Sequence, residues 1–318
     1  MMEVNIANNT GESPTFEELL NDVPKCKGIV ETHFKLRDQL INSGNRRLEI
    51  RTFDSNLHNI DIGEALDLKS TDNNPRQIRR LLSNYHYIEN ATGYIQERYG
   101  NGFWELCKNE NMFVSDLENS GGYHIFADDV HIITFPLDEE SRDSNTGGFI
   151  QPDHVFYEAL AVHELWHMVI AELLEYGSEN TLMKRLVVPY TNSAYNVISE
   201  ATCIIHELDY LYSVDKTRYK KKVEQFDEIK ASFHTNLIYK EYDPSTDYQA
   251  RYGMALTIIP HLYKAGWKAG NLHQLVLRAK DFANSQGITT LHNIPASTDP
   301  TSKHQELMDE ILKGPNSR

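Results

Sequence analysis

Two histidines four residues apart flank a glutamate in the pentapeptide His163-Glu164-Leu165-Trp166-His167. On an α-helix, side chains at i and i+4 share one face about 6 Å apart, so both imidazoles can converge on a single ion. Glu164 projects about 100° around the same helix, beside such an ion but outside its coordination, where a general base belongs. The surrounding segment, HVFYEALAVHELWHMVIAELLEY, follows the helix-start signal Pro152-Asp153 and is apolar around most of its circumference, which predicts a buried helix. The stripe Phe156, Leu160, His163, His167, Ile170, Leu174 is otherwise apolar, so burial penalises the two imidazoles unless something satisfies them. Two core histidines bonded to backbone or carboxylates would be the plain solution; a shared metal ion is the chemical one.

A catalytic zinc site needs a third protein ligand and leaves a fourth position to water. The downstream run from Tyr195 to Leu211 has helical spacing, with Val197, Ala201, Ile204, Leu208 and Leu211 as a core stripe and Ile198 and Ile205 beside it. Asn196, Glu200, Cys203 and Glu207 recur at four, three and four residues and so form a separate polar line. A polar seam in a largely apolar helix marks a candidate site.

With these residues on the page, the chain resembles a zincin metallopeptidase of the gluzincin branch. The resemblance implies an α+β fold with a small mixed sheet beside the active-site helix and a mainly helical C-terminal lobe. It also implies a zinc cofactor held by His163, His167 and Glu200, with Glu164 as catalytic glutamate. It covers about 50 of the 318 residues. One position departs from the pattern: some gluzincins carry an aspartate one turn after the ligand glutamate to orient a zinc histidine, and here that place holds Ile204. The role would then pass to Asn196, Glu207 or a backbone carbonyl. His206 and Asp209 are alternative third ligands, although each points roughly 120° to 180° from the polar seam. A Glu200 paired with a buried Lys or Arg is the non-metal alternative.

The implied chemistry is peptide hydrolysis. Zinc lowers the pKa of bound water towards about 7, and Glu164 accepts its proton and later delivers it to the leaving amine. Stabilisation of the tetrahedral oxyanion would fall to a Tyr or His of the helical lobe, with Tyr248, Tyr252, His261 and Tyr263 as candidates and Tyr252 preferred. By the same resemblance the strand Val130–Phe135 would be the sheet edge that receives an extended peptide, unless the hairpin is purely structural. The acidic loop carrying Asp138, Glu139, Glu140 and Asp143 would rim the cleft or simply be solvated.

Several elements must hold these residues in place. A capping box at Thr15 predicts a short helix, and Ile29, Val30, His33, Phe34, Leu36, Leu40 and Ile41 predict an amphipathic one ending at Ser43-Gly44. Leu48–Phe53 reads as a strand. Residues Pro75 to Tyr99 read as a long helix, and Tyr123–Ala127 with Val130–Phe135 as a hairpin turning at Asp128-Asp129. Helices then follow over Asn196–Tyr212, Tyr219–Phe233, Tyr248–Ile259, Leu272–Asn284 and Lys303–Leu312. The expected division is a flexible N-terminus over 1–22, an α/β lobe over 23–176 and a helical lobe over 177–318 that supplies the third ligand.

Composition narrows the function classes. Lys and Arg number 31 against 46 Asp and Glu, a formal charge of −15 that disfavours nucleic-acid partners. The basic run Lys216–Lys222 is followed by Glu224, Asp227 and Glu228 and reads as a solvated helix face without function. Cys26, Cys107 and Cys203 are three widely spaced cysteines with no C-x-x-C, which suits a reducing compartment. Neither a leader peptide nor a membrane-length apolar run is legible, so a cytoplasmic location without membrane partners is expected. The expectation is therefore a zinc metallopeptidase acting on peptides or proteins. The alternatives are a non-peptidase zinc hydrolase, an inactive zincin-like scaffold that binds a protein partner, and a helical interaction protein without metal.

Overall fold

The computed structural model describes residues 24–42, 47–51, 57–61, 75–107, 111–118, 123–127, 130–137, 154–173, 193–238, 248–285, 309 and 313–315. The expected helix after Thr15, the Asp128-Asp129 turn, the acidic stretch after Leu137 and all but Asp309 of the expected C-terminal helix lie outside these residues.

The elements run α1 (Pro24–Asn42), β1 (Arg47–Arg51), β2 (Leu57–Asp61), α2 (Pro75–Tyr99), α3 (Asn101–Cys107), β3 (Asn111–Glu118), β4 (Tyr123–Ala127) and β5 (Val130–Leu137). They continue with α4 (His154–Leu173), α5 (Ser193–Val214), α6 (Lys216–Ile238), α7 (Tyr248–Lys264) and α8 (Leu272–Ser285). The described chain is thus α+β, with strands in the first half and helices alone in the second. Strands β1 and β2 form an antiparallel pair. The second sheet has the order β3-β5-β4, with β3 parallel and β4 antiparallel to β5.

This order corrects one expectation. Val130–Phe135 is the central strand of its sheet, with β3 on one side and β4 on the other, so no extended peptide can add along it. Its residues Val130 to Phe135 are all buried, His131 and Thr134 included, as a strand covered on both faces must be. The hairpin with β4 stands as expected, Ala127 pairing with Val130. The partner that displaced the edge is β3, whose mixed run NMFVSDLE lacks the alternation that marks a strand. Any strand addition to this sheet would have to use β3 or β4.

Helix α4 packs against α2, α3, α5, α8 and the sheet, and it is the axis of the first core. Leu165, Trp166 and Val169 of α4 share one buried cluster with Tyr87, Ala91 and Ile95 of α2, Ile133 and Phe135 of β5, and Tyr210 and Leu211 of α5. Twenty residues without Gly or Pro, apolar on nearly every face, leave this segment no stable place but the interior. In the expected apolar stripe Ile170 and His163 are buried and Leu160 and His167 half-buried, Phe156 is 40% exposed near the start of the helix, and Leu174 lies outside the described residues. Helix α5 serves two cores: Val197, Ala201, Ile204, Ile205 and Leu208 face a second cluster formed with Phe226 of α6, Leu256 and Ile259 of α7, Trp267 and Leu275. Its polar line therefore runs along the boundary between the two clusters. Further ties join α2 and α4 to α5. Asp209 accepts hydrogen bonds from Tyr94 and Tyr99 at 2.9 and 2.6 Å and pairs with Arg98, while Tyr210 donates to Glu158.

Candidate metal centre

Full burial of a Leu or Val stabilises a fold by about 1.5–3 kcal/mol, whereas an unpaired buried carboxylate costs several. Against that scale, the seam where α4 meets α5 is chemically expensive: His163, Glu164, Glu200 and Glu207 are all buried there. Helical spacing put them there. His163 and His167 lie one turn apart on α4, and Glu200, Cys203 and Glu207 lie on one line of α5, so packing α4 on α5 brings the two polar lines face to face.

The imidazole rings of His163 and His167 stand 5.0 Å apart between centroids. A single oxygen of Glu200, Oε2, lies 3.5 Å from Nε2 of His163 and 3.7 Å from Nε2 of His167. These separations exceed the usual hydrogen-bond range, and Oε2 is buried with no hydrogen-bond partner. They approach the roughly 3.4 Å between donors that share a tetrahedral ion with bonds of about 2.1 Å. The remaining ring nitrogens are held from behind: Nδ1 of His163 by Glu207 Oε2 at 3.1 Å and Nδ1 of His167 by Ser199 Oγ at 2.9 Å. Each hold leaves Nε2 aimed at Glu200. The donor set fits a divalent cation.

Among the described residues, His163, His167 and Cys203 also form a group whose possible donor atoms all lie within 4.8 Å of one another, a cluster able to hold a metal ion. The Cys203 thiol belongs to the same locality as Glu200, one turn along α5, and is free and buried. The Glu200 oxygen, at 3.5 and 3.7 Å, marks the point on which both Nε2 atoms converge.

The charges sort themselves by environment. Burial pushes the Glu164 carboxyl upward, and the nearby Glu200 and Glu207 reinforce this against the opposing pull of the two histidines. Burial also acts on Glu200, but His167 and His163 outweigh it and hold that carboxyl well below the usual range. Glu207 is likewise held low against burial, by Lys222 and His163. Burial alone would strip the proton from His163, yet Glu200 and Glu207 raise it to about 10. Three carboxyls in one seam, Glu164 shifted up and Glu200 and Glu207 shifted down, suit a proton-transferring group beside permanently anionic ones.

Tyr252 packs in the second cluster with its ring edge to Phe226, and burial pushes its hydroxyl well above the usual tyrosine range. The negative charges of Glu207, Glu200 and Glu164 push it in the same direction. Of its competitors, His261 and Tyr263 are exposed on α7, and the side chain of Tyr248 lies outside the described set. The alternative ligands lie apart from this point: the His206 ring stacks on Trp166 at 3.6 Å with both nitrogens buried and making no hydrogen bond among the described residues, and Asp209 faces Tyr94, Arg98 and Tyr99. Of the suggested orienting groups, Glu207 is the one in contact with His163; the Asn196 side chain is outside the described set.

Ser199 and Lys222 belong to this site and were not legible as such, and Cys203 was legible as part of the polar line but not as a donor. Ser199 and Cys203 sit within the polar line or next to it, so helical spacing carried the signal and residue type did not decide the role. Lys222 was hidden in the basic run read as solvated: its neighbours Lys220 and Lys221 are exposed, but its own ammonium turns inward to Glu207 Oε1 at 2.8 Å. No family model, no curated protein and no solved structure matches this chain. Among the described residues, no helix is long and apolar enough to cross a membrane.

Proposed function

We propose that the chain is a zinc-dependent metallopeptidase on a zincin-like α+β fold, acting on peptide or protein substrates in the cytoplasm. The observation that supports this most is the convergence of two Nε2 atoms on one buried Glu200 oxygen, at ion-pair distance but outside the usual hydrogen-bond range, with Glu164 adjacent on the helix that carries both histidines. His163, His167 and Glu200 would hold the ion. When bound, zinc supplies a Lewis acid that brings a water pKa to about 7 and polarises a carbonyl.

The chain's own residues account for the rest. Glu164, buried and with no Lys or Arg paired to it among the described residues, takes the proton of the attacking water and delivers it to the departing amine. The Tyr252 hydroxyl, kept protonated by burial, donates to the developing oxyanion. His163 is 5% exposed in its side chain and His167 18%, so the approach for substrate is from the His167 side. The test is cleavage of a broad peptide library by purified protein. Hydrolysis that stops on chelation and returns with one equivalent of zinc is the expected result; zinc uptake without cleavage of any peptide contradicts the peptidase reading.

Cys203 favours a second reading. A thiolate from the His163, His167, Cys203 cluster would complete four protein ligands with Glu200, and closed four-ligand zinc sites are structural rather than catalytic. The protein would then be a zincin-like scaffold that binds a partner. Cobalt substitution separates the two: a thiolate charge-transfer band in the near ultraviolet that disappears in Cys203→Ser supports the closed site, and its absence in the wild type supports the open one.

A further inference from the structure

The basic run at the start of α6 is spent unevenly. Lys220 and Lys221 are exposed, while the Lys222 ammonium lies over two aromatic rings, its Nζ 5.9 Å from the Phe156 centroid and 5.0 Å from that of Phe226. Its ammonium ends 2.8 Å from Oε1 of Glu207, whose side chain is only 4% exposed. The other oxygen of the same carboxylate accepts from Nδ1 of His163 at 3.1 Å, and Nε2 of that ring faces Glu200. Three side chains from three helices, α6, α5 and α4, thus form one unbranched line that ends at the proposed ion.

We infer that Lys222 is a positioning residue of this centre, acting through Glu207 to fix the ring of His163 with Nδ1–H on the carboxylate and the Nε2 lone pair towards the metal. The reasoning is geometric. A carboxylate held at one oxygen can still rotate about its terminal torsion, which is broad and roughly two-fold, whereas one held at both oxygens cannot. An imidazole bonded to a fixed acceptor keeps both its tautomer and its ring orientation. Glu207 reaches His163 through a glutamate side chain with three torsions to be fixed, and Lys222 supplies the second anchor.

This inference rests on the metal-centre reading above. The experiment compares wild type, Lys222→Met, Lys222→Arg, Glu207→Gln and the double variant Lys222→Met/Glu207→Gln, using zinc affinity from chelator competition. It is paired with the solvent exchange of the His163 Nδ1–H proton, seen as a shifted resonance in the cobalt-loaded protein. Lys222→Met keeps an apolar stem against Phe156 and Phe226, and Lys222→Gln replaces it if the methionine variant does not fold. The expected result is about a 10- to 100-fold loss of zinc affinity and faster Nδ1–H exchange in Lys222→Met, largely restored in Lys222→Arg. The double variant should bind no more weakly than Glu207→Gln alone, because both substitutions cut the same line. Wild-type affinity and exchange in Lys222→Met, or losses that simply add in the double variant, overturn the inference and leave the metal site standing. A wild-type protein that takes up neither zinc nor cobalt overturns both.

Discussion

Glu200 Oε2 stands 3.5 Å from Nε2 of His163, buried and with no hydrogen-bond partner. In a site without a role for that oxygen, a small torsional change would close the gap to a normal hydrogen bond. The separation instead suits two donors that look at a common third atom. Glu200→Gln keeps the shape and removes the negative charge, and it should weaken zinc binding by more than about 100-fold, since orienting groups alone are worth 10–100-fold. Chelator competition measures this; wild-type affinity in the variant would remove Glu200 from the site.

Tyr252→Phe keeps the ring against Phe226 and deletes the hydroxyl. Loss of one oxyanion donor lowers kcat by about 10² to 10³-fold while metal affinity stays as in the wild type. Steady-state kinetics on any peptide the protein cleaves decides the point, and unchanged kcat would return Tyr252 to a packing role alone.

The sheet offers a pH prediction independent of the metal centre. His33 of α1 stacks on Phe113 of β3, with centroids 4.4 Å apart, and burial first, then the nearby Arg37, push its pKa down to about 4. The folded protein holds this ring neutral, while the unfolded chain protonates it near pH 6.5. Between pH 4 and 6.5 the unfolded state therefore binds more protons. The stability contribution is complete above about 6.5 and lost as pH falls towards 4, by at most about 3 kcal/mol and less in so far as water screens the partly exposed ring. Urea titrations from pH 4 to 8 should show a smaller decline in His33→Phe than in the wild type; parallel curves would contradict the assignment.

Legibility followed periodicity. Helix α2 was readable end to end because Ile78, Leu81, Leu82, Tyr85 and Ile88 recur at helical spacing, and the strong apolar character of α4 announced its burial. The two lines His163/His167 and Glu200/Cys203/Glu207 were likewise visible, since each is a pattern within one helix. What stayed hidden depends on how elements meet. Strand β3 has no clean alternation, and without it β5 reads as an edge; its central place comes from parallel pairing across residues 111–137, which local pattern does not encode. Lys222 looks the same as Lys220 and Lys221 in a one-dimensional reading, and only the packing of α6 beside α5 turns it inward. Ser199 became a partner of His167 because α4 crosses α5 at that level.

The central claim is that Glu164 moves the proton at a metal-dependent site, and Glu164→Gln in the zinc-loaded protein addresses it most directly. The account predicts an intact fold, one equivalent of zinc bound at wild-type affinity, and peptide hydrolysis reduced by at least about 10²–10⁴-fold. Hydrolysis at the wild-type rate in that variant, with zinc fully bound, would contradict it.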